Sequence, residues 1–206
     1  MEKKEKKIIF EKLTPYLVRN KLLDDHLEDI LKVEKINKED FYSLFPYQTK
    51  SLCTFFFNQK HIFIKKINKK KIINEKSISK KVALYLEASI VFLEKNKDIS
   101  IFFLNFLILH PILFTKISIS FANFVWNEIS DTSVDFNYYS KRYILSKIYE
   151  GSLFYWRGSL NFNKTVIFIK KQINSLGLIG KVKANTKKML SKLPIKSFLS
   201  KLDFMH

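Results

Sequence analysis

The chain has 206 residues, 37 Lys and Arg against 19 Asp and Glu, a formal net charge of +18, and 47% hydrophobic residues. This length excludes a large multidomain enzyme, and this apolar content excludes a disordered basic tail. With only four Gly and four Pro, the turns that a sandwich or barrel of short strands requires are scarce, so an all-α fold is predicted.

Apolar side chains recur at helical spacing along most of the chain. They predict helices over residues 4–18, 22–33, 38–45, 48–66, 77–95, 98–108, 111–129, 132–157, 161–175 and 178–202. The most apolar stretch, Ile101 to Phe114, is interrupted by His110 and Pro111 and is shorter than the roughly 20 residues that cross a bilayer. A transmembrane helix is therefore not predicted.

The positive charge is concentrated in two segments. Residues 60–81 carry a net charge of +8 and residues 164–206 carry +9, whereas 1–59 carry +1 and 82–163 are neutral. Clustering of this kind indicates two surfaces that face an anionic partner, either a membrane or a nucleic acid. Three parts are predicted: a helix-turn-helix-like region over 1–59, a helical core over 60–176, and a basic amphipathic segment over 177–206.

The residues expected of an enzyme are missing from the sequence. The four His are scattered without metal-ligand spacing, no Gly-rich phosphate loop occurs, and Cys53 lies in an apolar aromatic run, where a packed thiol is expected. No metal and no cofactor are predicted. Asp131 and Asp135 are spaced as an acid/base pair, but their positions also suit the start of a helix.

The segment 121–157 mixes dense aromatic residues with charges. Its helix is apolar on nearly all sides and is expected to be largely buried. Asp131, Asp135, Tyr139 and Arg142 nevertheless follow one another at steps of four, four and three. This polar stripe is either an internal ion-pair network or an exposed patch that docks another protein.

Trp126, the run DTSVDFNYYSKR at 131–142, and Leu145, Tyr149 and Trp156 resemble the signature of the Coq-nine family of ubiquinone biosynthesis accessory proteins. That signature is written W-x-x-x-G-D-x-S-x-D-F-N-W-Y-T-K-R, so Ser130 stands here in place of its Gly and Tyr138 in place of its Trp. The resemblance extends from Pro111 to about Ile173. More weakly, FYSLFPYQTKSLCTFF at 41–56 is similar to the end of the helix-turn-helix of TetR-type repressors.

The resemblance implies a homodimeric, TetR-repressor-like fold of about nine or ten helices that has lost DNA binding. It also implies a non-catalytic protein that binds an isoprenoid quinone intermediate or a phospholipid at the membrane and presents the intermediate to the demethoxyubiquinone hydroxylase. The partner-binding residues expected from the resemblance and the polar stripe are Asn123, Trp126, Asp135, Tyr138, Tyr139 and Arg142.

A carrier of a polyprenyl lipid needs an apolar cavity, because each buried methylene contributes about 0.8 kcal/mol. The hypothesis places this cavity among the helices from Ile101 to Trp156, although the same residues could be ordinary core. The residues predicted to line it are Phe102, Phe103, Phe106, Leu107, Phe114, Ile144, Ile148 and Phe154.

The C-terminal segment has the pattern of a helix that lies in a membrane surface, with apolar residues on one face and lysines toward the other. Packing of this helix on the core is the alternative. The predicted membrane-binding residues are Val182, Met189, Leu190, Leu193, Phe198, Leu199 and Leu202, with Lys187, Lys188 and Lys192.

Two rival functions were weighed against the resemblance. A TetR-type DNA-binding regulator would use residues 1–59, but Asp24, Asp25, Glu28 and Asp29 would repel phosphates there, so DNA is not an expected partner. A membrane-surface scaffold without a ligand is the other. The opening MEKKEKK resembles neither a secretory signal nor a transit peptide, so the expected location is the cytoplasmic face of a bacterial inner membrane, or the matrix face of the mitochondrial inner membrane in a eukaryote.

Overall fold

Helices account for nearly all of the described chain. The computed structural model describes residues 2–20, 26–67, 72, 74–132 and 135–175. Its helices are α1 (Glu2–Asn20), α2 (Leu27–Val33), α3 (Lys38–Leu44), α4 (Gln48–Ile67), α5 (Ile78–Lys95), α6 (Lys97–Ile108), α7 (Pro111–Glu128) and α8 (Asp135–Ser159), followed by helical residues 162–175, here α9. No described residue lies in a strand, so the all-α prediction is confirmed.

Local sequence signals set several helix ends. The Asn37 side chain accepts hydrogen bonds from the backbone N–H groups of Glu39 and Asp40 and so begins α3. Pro111 occupies the first turn of α7, where its missing N–H costs no hydrogen bond. Just after the C-terminal end of α2, Lys35 has a φ of 52°, in the left-handed region in which many helices end.

Most predicted bounds agree with these helices within about three residues. The start of α8, at Asp135, is three residues after the predicted 132. The start of α2 differs more, because the helix begins at Leu27 after a turn at His26, whereas a start at 22 was predicted; residues 22–25 lie outside the described residues. The helix predicted over 178–202 lies outside the described residues.

The core lies where α7 and α8 pack along each other and against α4, α5 and α6. Phe56 of α4 contacts Phe92 of α5 and Phe103 of α6, with ring centroids 5.0 and 5.3 Å apart. Phe10 of α1 joins this cluster through Phe103 at 6.3 Å. These contacts belong to one compact unit, which ends at Ile169.

Helix α8 is buried along one face, which corrects the expectation of burial on nearly all sides. Leu145, Tyr149, Leu153 and Trp156 point into the core, and the Trp156 indole N–H donates to Glu94 of α5 over 2.7 Å. The opposite face carries Tyr143, Ile144, Phe154 and Tyr155, all exposed. Tyr155 stacks on Phe168 of α9 at 4.6 Å.

Among the described helices, none combines the length and the apolar character that crossing a bilayer requires.

Candidate functional site

The connection from α7 to α8 places the charged residues of the predicted docking segment. The backbone N–H of Asp131 donates to the carbonyl of Trp126 over 3.0 Å, across the end of α7. Ser130 makes this possible with a φ of 61°, in the left-handed region that favours glycine. The chain therefore turns back sharply and brings Asp131 against the first turns of α8.

Asp131 is the centre of an ion-pair network. Its carboxylate lies 2.8 Å from Lys141 Nζ and 3.4 Å from Arg142 Nη1. Arg142 Nη1 also donates to the backbone carbonyl of Tyr138 over 3.1 Å. The side chains of Asp131 and Arg142 are both buried. Because a buried pair is costly to break, this network fixes the geometry of the first two turns of α8.

Aromatic rings pack directly on the cations of this network. The guanidinium carbon of Arg142 lies 3.4 Å from the Tyr138 ring centroid, and Lys141 Nζ lies 5.1 Å from the Trp126 ring. The Trp126 indole N–H donates to the Lys141 carbonyl over 3.2 Å. Cation–π contact and hydrogen bonding thus join the end of α7 to the start of α8.

Three tyrosines of α8 stand on the outside of this network and form what we call the tyrosine patch: Tyr138, Tyr139 and Tyr143. Tyr139 is 71% exposed, and its ring meets that of Tyr138 edge-on at 5.1 Å. Tyr143 is also exposed, with Lys147 Nζ 5.6 Å from its ring. Rigid, amphipathic rings on a fixed base are typical of protein-binding surfaces.

The predicted partner-binding residues therefore have two different environments. Trp126 and Arg142 are buried, Asn123 on α7 is half-buried, and Tyr138 and Tyr139 are exposed. Asp135 begins α8, and its side chain lies outside the described part of the structure. Asp131 and Arg142 thus form the internal ion-pair network of the first interpretation, whereas Tyr139 is exposed, and docking of another protein at this stripe stays a prediction.

Two adjoining grooves lie elsewhere on the unit, where the α3–α4 turn meets the α6–α7 turn. One has a volume of about 680 Å³ and includes Phe45, Phe55 and Leu113 in its lining. The other has a volume of about 860 Å³ and includes Phe102 and Phe106. Tyr47, Lys50, Leu109 and His110 line both grooves.

Comparison with known protein families relates this chain to one of them. The COQ9 family model, which represents the Coq-nine family named above, matches residues 114–180. Residues 114–180 are therefore similar to the COQ9 family over about a third of the chain. This match confirms the resemblance seen in the sequence and implies a role in ubiquinone biosynthesis. A search of curated proteins found no significant match.

The COQ9 segment contains the whole of the ion-pair network and the tyrosine patch, together with α8 and most of α7. Ser130, which replaces the Gly of the family signature, has the left-handed backbone conformation that explains a glycine at this position. The grooves lie almost entirely outside the segment, since Lys116 is the only residue in their linings beyond residue 113.

The eight residues predicted to line a lipid cavity occur in three settings. Phe103, Leu107 and Phe114 are buried in the core. Phe102 and Phe106 line the 860 Å³ groove. Ile144, Ile148 and Phe154 lie along α8, where Ile144 and Phe154 are exposed and Ile148 is partly buried. The structure brings Phe114 and Phe154 together, with ring centroids 5.2 Å apart. Lipid binding by these residues stays a prediction.

The predicted membrane-binding residues lie outside the described residues. This holds for Val182, Met189, Leu190, Leu193, Phe198, Leu199 and Leu202, and for Lys187, Lys188 and Lys192.

Possible reactive groups are buried or scattered. Cys53 is buried, and burial raises the pKa of its thiol, which suits a packed side chain. Within the described ranges, no three His, Cys, Asp or Glu side chains come close enough together to hold a metal ion.

Sequence reasoning missed the apolar side chains beside the grooves. Leu109, Ile112 and Tyr47 are 78%, 75% and 74% exposed, more than any other large apolar side chain that the structure describes. A signal was present, because Leu109 and Ile112 flank the helix break at His110 and Pro111, where turn residues are normally polar.

Proposed function

We propose that the protein binds an isoprenoid quinone intermediate or a phospholipid at a membrane surface, presents the quinone intermediate to the demethoxyubiquinone hydroxylase, and catalyses no reaction itself. The observation that carries the proposal is the COQ9 match over residues 114–180, the segment in which Tyr139 stands exposed on a buried Asp131–Arg142 pair. COQ9 proteins are non-catalytic accessory proteins of ubiquinone biosynthesis.

The tyrosine patch is the proposed contact with the hydroxylase. Tyr139 offers a large amphipathic surface, and few of its rotatable bonds have to be ordered on binding. Arg142 and Asp131 keep the backbone beneath it in one conformation. A surface that is ordered before binding avoids part of the entropic cost of association.

Co-precipitation of the hydroxylase tests this contact. Tyr139→Ala is expected to weaken capture about 30-fold, the equivalent of about 2 kcal/mol for a hot-spot side chain. Val33→Ala is the matched control, because Val33 is almost equally exposed but lies on α2, outside the tyrosine patch and both grooves. Both variants should keep the helical circular dichroism of the wild type. Equal capture of the two variants would remove Tyr139 from the contact.

The two grooves are the proposed lipid sites. Their volumes of about 680 and 860 Å³ fall in the range of ligand pockets, and their linings contain Phe55, Phe102 and Phe106. Mass spectrometry of lipids extracted from the purified native protein is the test. The double variant Phe102→Asn/Phe106→Asn should lose a co-purifying isoprenoid or phospholipid, while Ile167→Asn, at an exposed site on α9, should retain it. Absence of any such lipid from the wild type contradicts lipid binding.

The proposed homodimer contact is the exposed apolar surface of α8 outside the tyrosine patch. Ile144 and Phe154 present apolar surface to solvent there, which a second copy of the chain would cover. Light scattering of the wild type is expected to give the mass of a dimer. Ile144→Lys should give the mass of a monomer.

The C-terminal segment remains a proposed membrane contact. Removal of residues 177–206 is expected to weaken binding to vesicles that contain phosphatidylglycerol, because the segment combines lysines with apolar residues.

A DNA-binding regulator is not favoured. The first turn of α3 carries Glu39 and Asp40, and that of α2 carries Glu28 and Asp29. These carboxylates would face the phosphates of a duplex in a helix-turn-helix complex, where neutralisation of phosphate charge supplies the affinity. A mobility-shift assay over a range of salt concentrations distinguishes the two functions.

A further inference from the structure

The most exposed apolar side chains of the described structure belong to one surface. Leu109 and Ile112 come from the α6–α7 turn and the first turn of α7, and Tyr47 comes from the α3–α4 turn. Tyr47 and Leu109 line both grooves, and Ile112 lines the 680 Å³ groove. We call Tyr47, Leu109 and Ile112 the apolar tip. Single exposed apolar side chains are common on protein surfaces, but a group of three beside a groove marks an interaction site.

The charge around the apolar tip has one sign on the side of the smaller groove. Lys6, Lys50 and Lys116 line that groove, and its lining includes no Asp or Glu. Lys6 pairs with Glu2 at 2.7 Å. Lys50 and Lys116 are both exposed, and within the described residues neither has an ion-pair partner. The net charges of the sequence segments do not show this cluster, because its three lysines lie in the two segments that are nearly neutral, 1–59 and 82–163.

The tip combines aliphatic side chains with a tyrosine, and lysines surround them. This combination is typical of protein surfaces that enter the headgroup region of a membrane. Aliphatic residues reach the acyl boundary, Tyr lies at headgroup level, and Lys contacts the phosphates. A protein partner would be expected to require acidic side chains against Lys50 and Lys116. A lipid surface supplies anionic charge and apolar depth together.

We infer that the apolar tip is a membrane-docking site, in which Leu109, Ile112 and Tyr47 enter an anionic lipid surface and Lys50 and Lys116 contact its phosphate headgroups. Docking in this orientation brings the mouths of both grooves to the bilayer, since the tip residues line them. An isoprenoid could then pass from bilayer to groove without crossing water. That consequence rests on the proposed function, whereas the docking itself does not.

A fluorescent label placed on the tip tests the inference with the full chain. Leu109→Cys and Ile112→Cys are labelled with an environment-sensitive dye, and Val33→Cys, at a site that is 69% exposed on α2, is the matched control. Native Cys53 is buried, so the unmodified chain serves as the labelling blank. On addition of phosphatidylcholine vesicles containing phosphatidylglycerol, the emission at 109 and 112 should shift to the blue and become quenched by brominated lipid. The emission at 33 should not change.

Vesicle flotation adds an affinity measurement. Leu109→Ser/Ile112→Ser is expected to weaken binding about tenfold or more, given the gain from burying each aliphatic side chain. Lys50→Gln/Lys116→Gln should weaken binding about tenfold or more with phosphatidylglycerol present, because each lysine near an anionic leaflet contributes about fivefold. The same variant should change little with phosphatidylcholine alone, and Val33→Ser should match the wild type throughout.

Two results would overturn the inference. If the chain floats with vesicles but the labels at 109 and 112 do not respond, another segment binds the membrane. If Leu109→Ser/Ile112→Ser floats normally and instead fails to capture the hydroxylase, the tip binds a protein. Lipid mass spectrometry tests the proposed function separately. If the protein docks through the tip but carries no lipid, the carrier proposal is wrong and the docking inference still holds.

Discussion

Lys60 of α4 donates a hydrogen bond to the phenol oxygen of Tyr149 on α8, and both side chains are fully buried. Lys60 Nζ lies 4.1 Å from the Tyr149 ring centroid and 4.2 Å from that of Phe121. Burial penalises the charged form of each group. It therefore lowers the pKa of the Lys60 amine well below its usual value and raises the pKa of the Tyr149 phenol. The core therefore contains a polar pair whose burial costs stability.

Lys60→Met is expected to raise the free energy of unfolding by about 1 kcal/mol or more at pH 7. Met has a similar length and replaces the amine with an apolar group, which removes its desolvation cost. Tyr149→Phe should have the opposite effect, a loss of about 1 to 3 kcal/mol, because it leaves the Lys60 amine without its hydrogen-bond partner. Urea unfolding measures both. A less stable Lys60→Met protein would show that the pair contributes net stability.

The advantage of Lys60→Met should shrink as the pH rises toward 10.5, the usual pKa of a lysine amine. Because the folded pKa of Lys60 lies below 10.5, the unfolded chain binds a proton that the folded chain excludes. The wild type therefore gains stability with rising pH over this window, and Lys60→Met lacks that gain. Parallel pH profiles of the two proteins would contradict the lowered pKa.

Ser130→Gly is expected to stabilise the fold by about 1 kcal/mol. Ser130 adopts a φ of 61° at the end of α7, a conformation that a side chain disfavours by about 1 to 2 kcal/mol. Greater backbone freedom in the unfolded state offsets part of the gain. Ser120→Gly, at an exposed site within the same helix, is the control and should destabilise by roughly 0.5 kcal/mol. Thermal unfolding that shows both changes lowering stability would refute the backbone argument.

Sequence patterns predicted the helices well because helical spacing and helix breakers are local features. Pro111 and Ser77, for example, stand at the starts of α7 and α5, as the apolar periodicity indicated. The partner of each apolar face is not a local feature. Phe103 and Phe102 are neighbours in the sequence, yet Phe103 is buried in the core and Phe102 lines a groove.

Charge counts along the sequence also could not show which side chains are buried by contacts between distant segments. Lys60 was one of the nine cations of the basic segment 60–81, but the packing of α4 on Phe121 and Tyr149 removes it from the surface. The COQ9-like motif was a better guide to the candidate site, because Asp131 and Arg142 are close in the sequence and the α7–α8 turn brings their side chains into an ion pair. The exposed tip at Leu109 depends on the meeting of two distant turns, which no motif contained.

Asp131→Asn is expected to destabilise the protein by about 2 kcal/mol or more, since Arg142 is then buried without its counter-charge. Arg142→Lys should also destabilise the protein, because an ammonium cannot both lie flat on the Tyr138 ring and donate like a guanidinium. Both variants should also weaken capture of the hydroxylase, in contrast to Tyr139→Ala, which should affect capture alone. Chemical unfolding and co-precipitation on the same preparations separate the two roles. Wild-type stability in Asp131→Asn would rule out a structural function for the pair.

His61→Phe is expected to flatten the pH dependence of stability between pH 7 and pH 5. His61 is partly buried and stacks on Phe124 at 4.4 Å with the rings nearly parallel. Burial, with Lys60 and Lys65 nearby, lowers the pKa of His61 to about 3. The folded imidazole therefore stays neutral, while the unfolded one binds a proton below its usual pKa of 6.5.

The sign follows from that difference. The contribution of His61 is fully present above pH 6.5 and is lost as the pH falls toward 3, at up to about 1.4 kcal/mol per pH unit. At pH 5 the wild type should have lost up to about 2 kcal/mol more than His61→Phe, relative to pH 7. Slopes are compared rather than absolute values, because the two rings differ in volume. Urea unfolding at four or five pH values measures them, and equal slopes would mean that the folded imidazole takes up its proton as readily as the unfolded one.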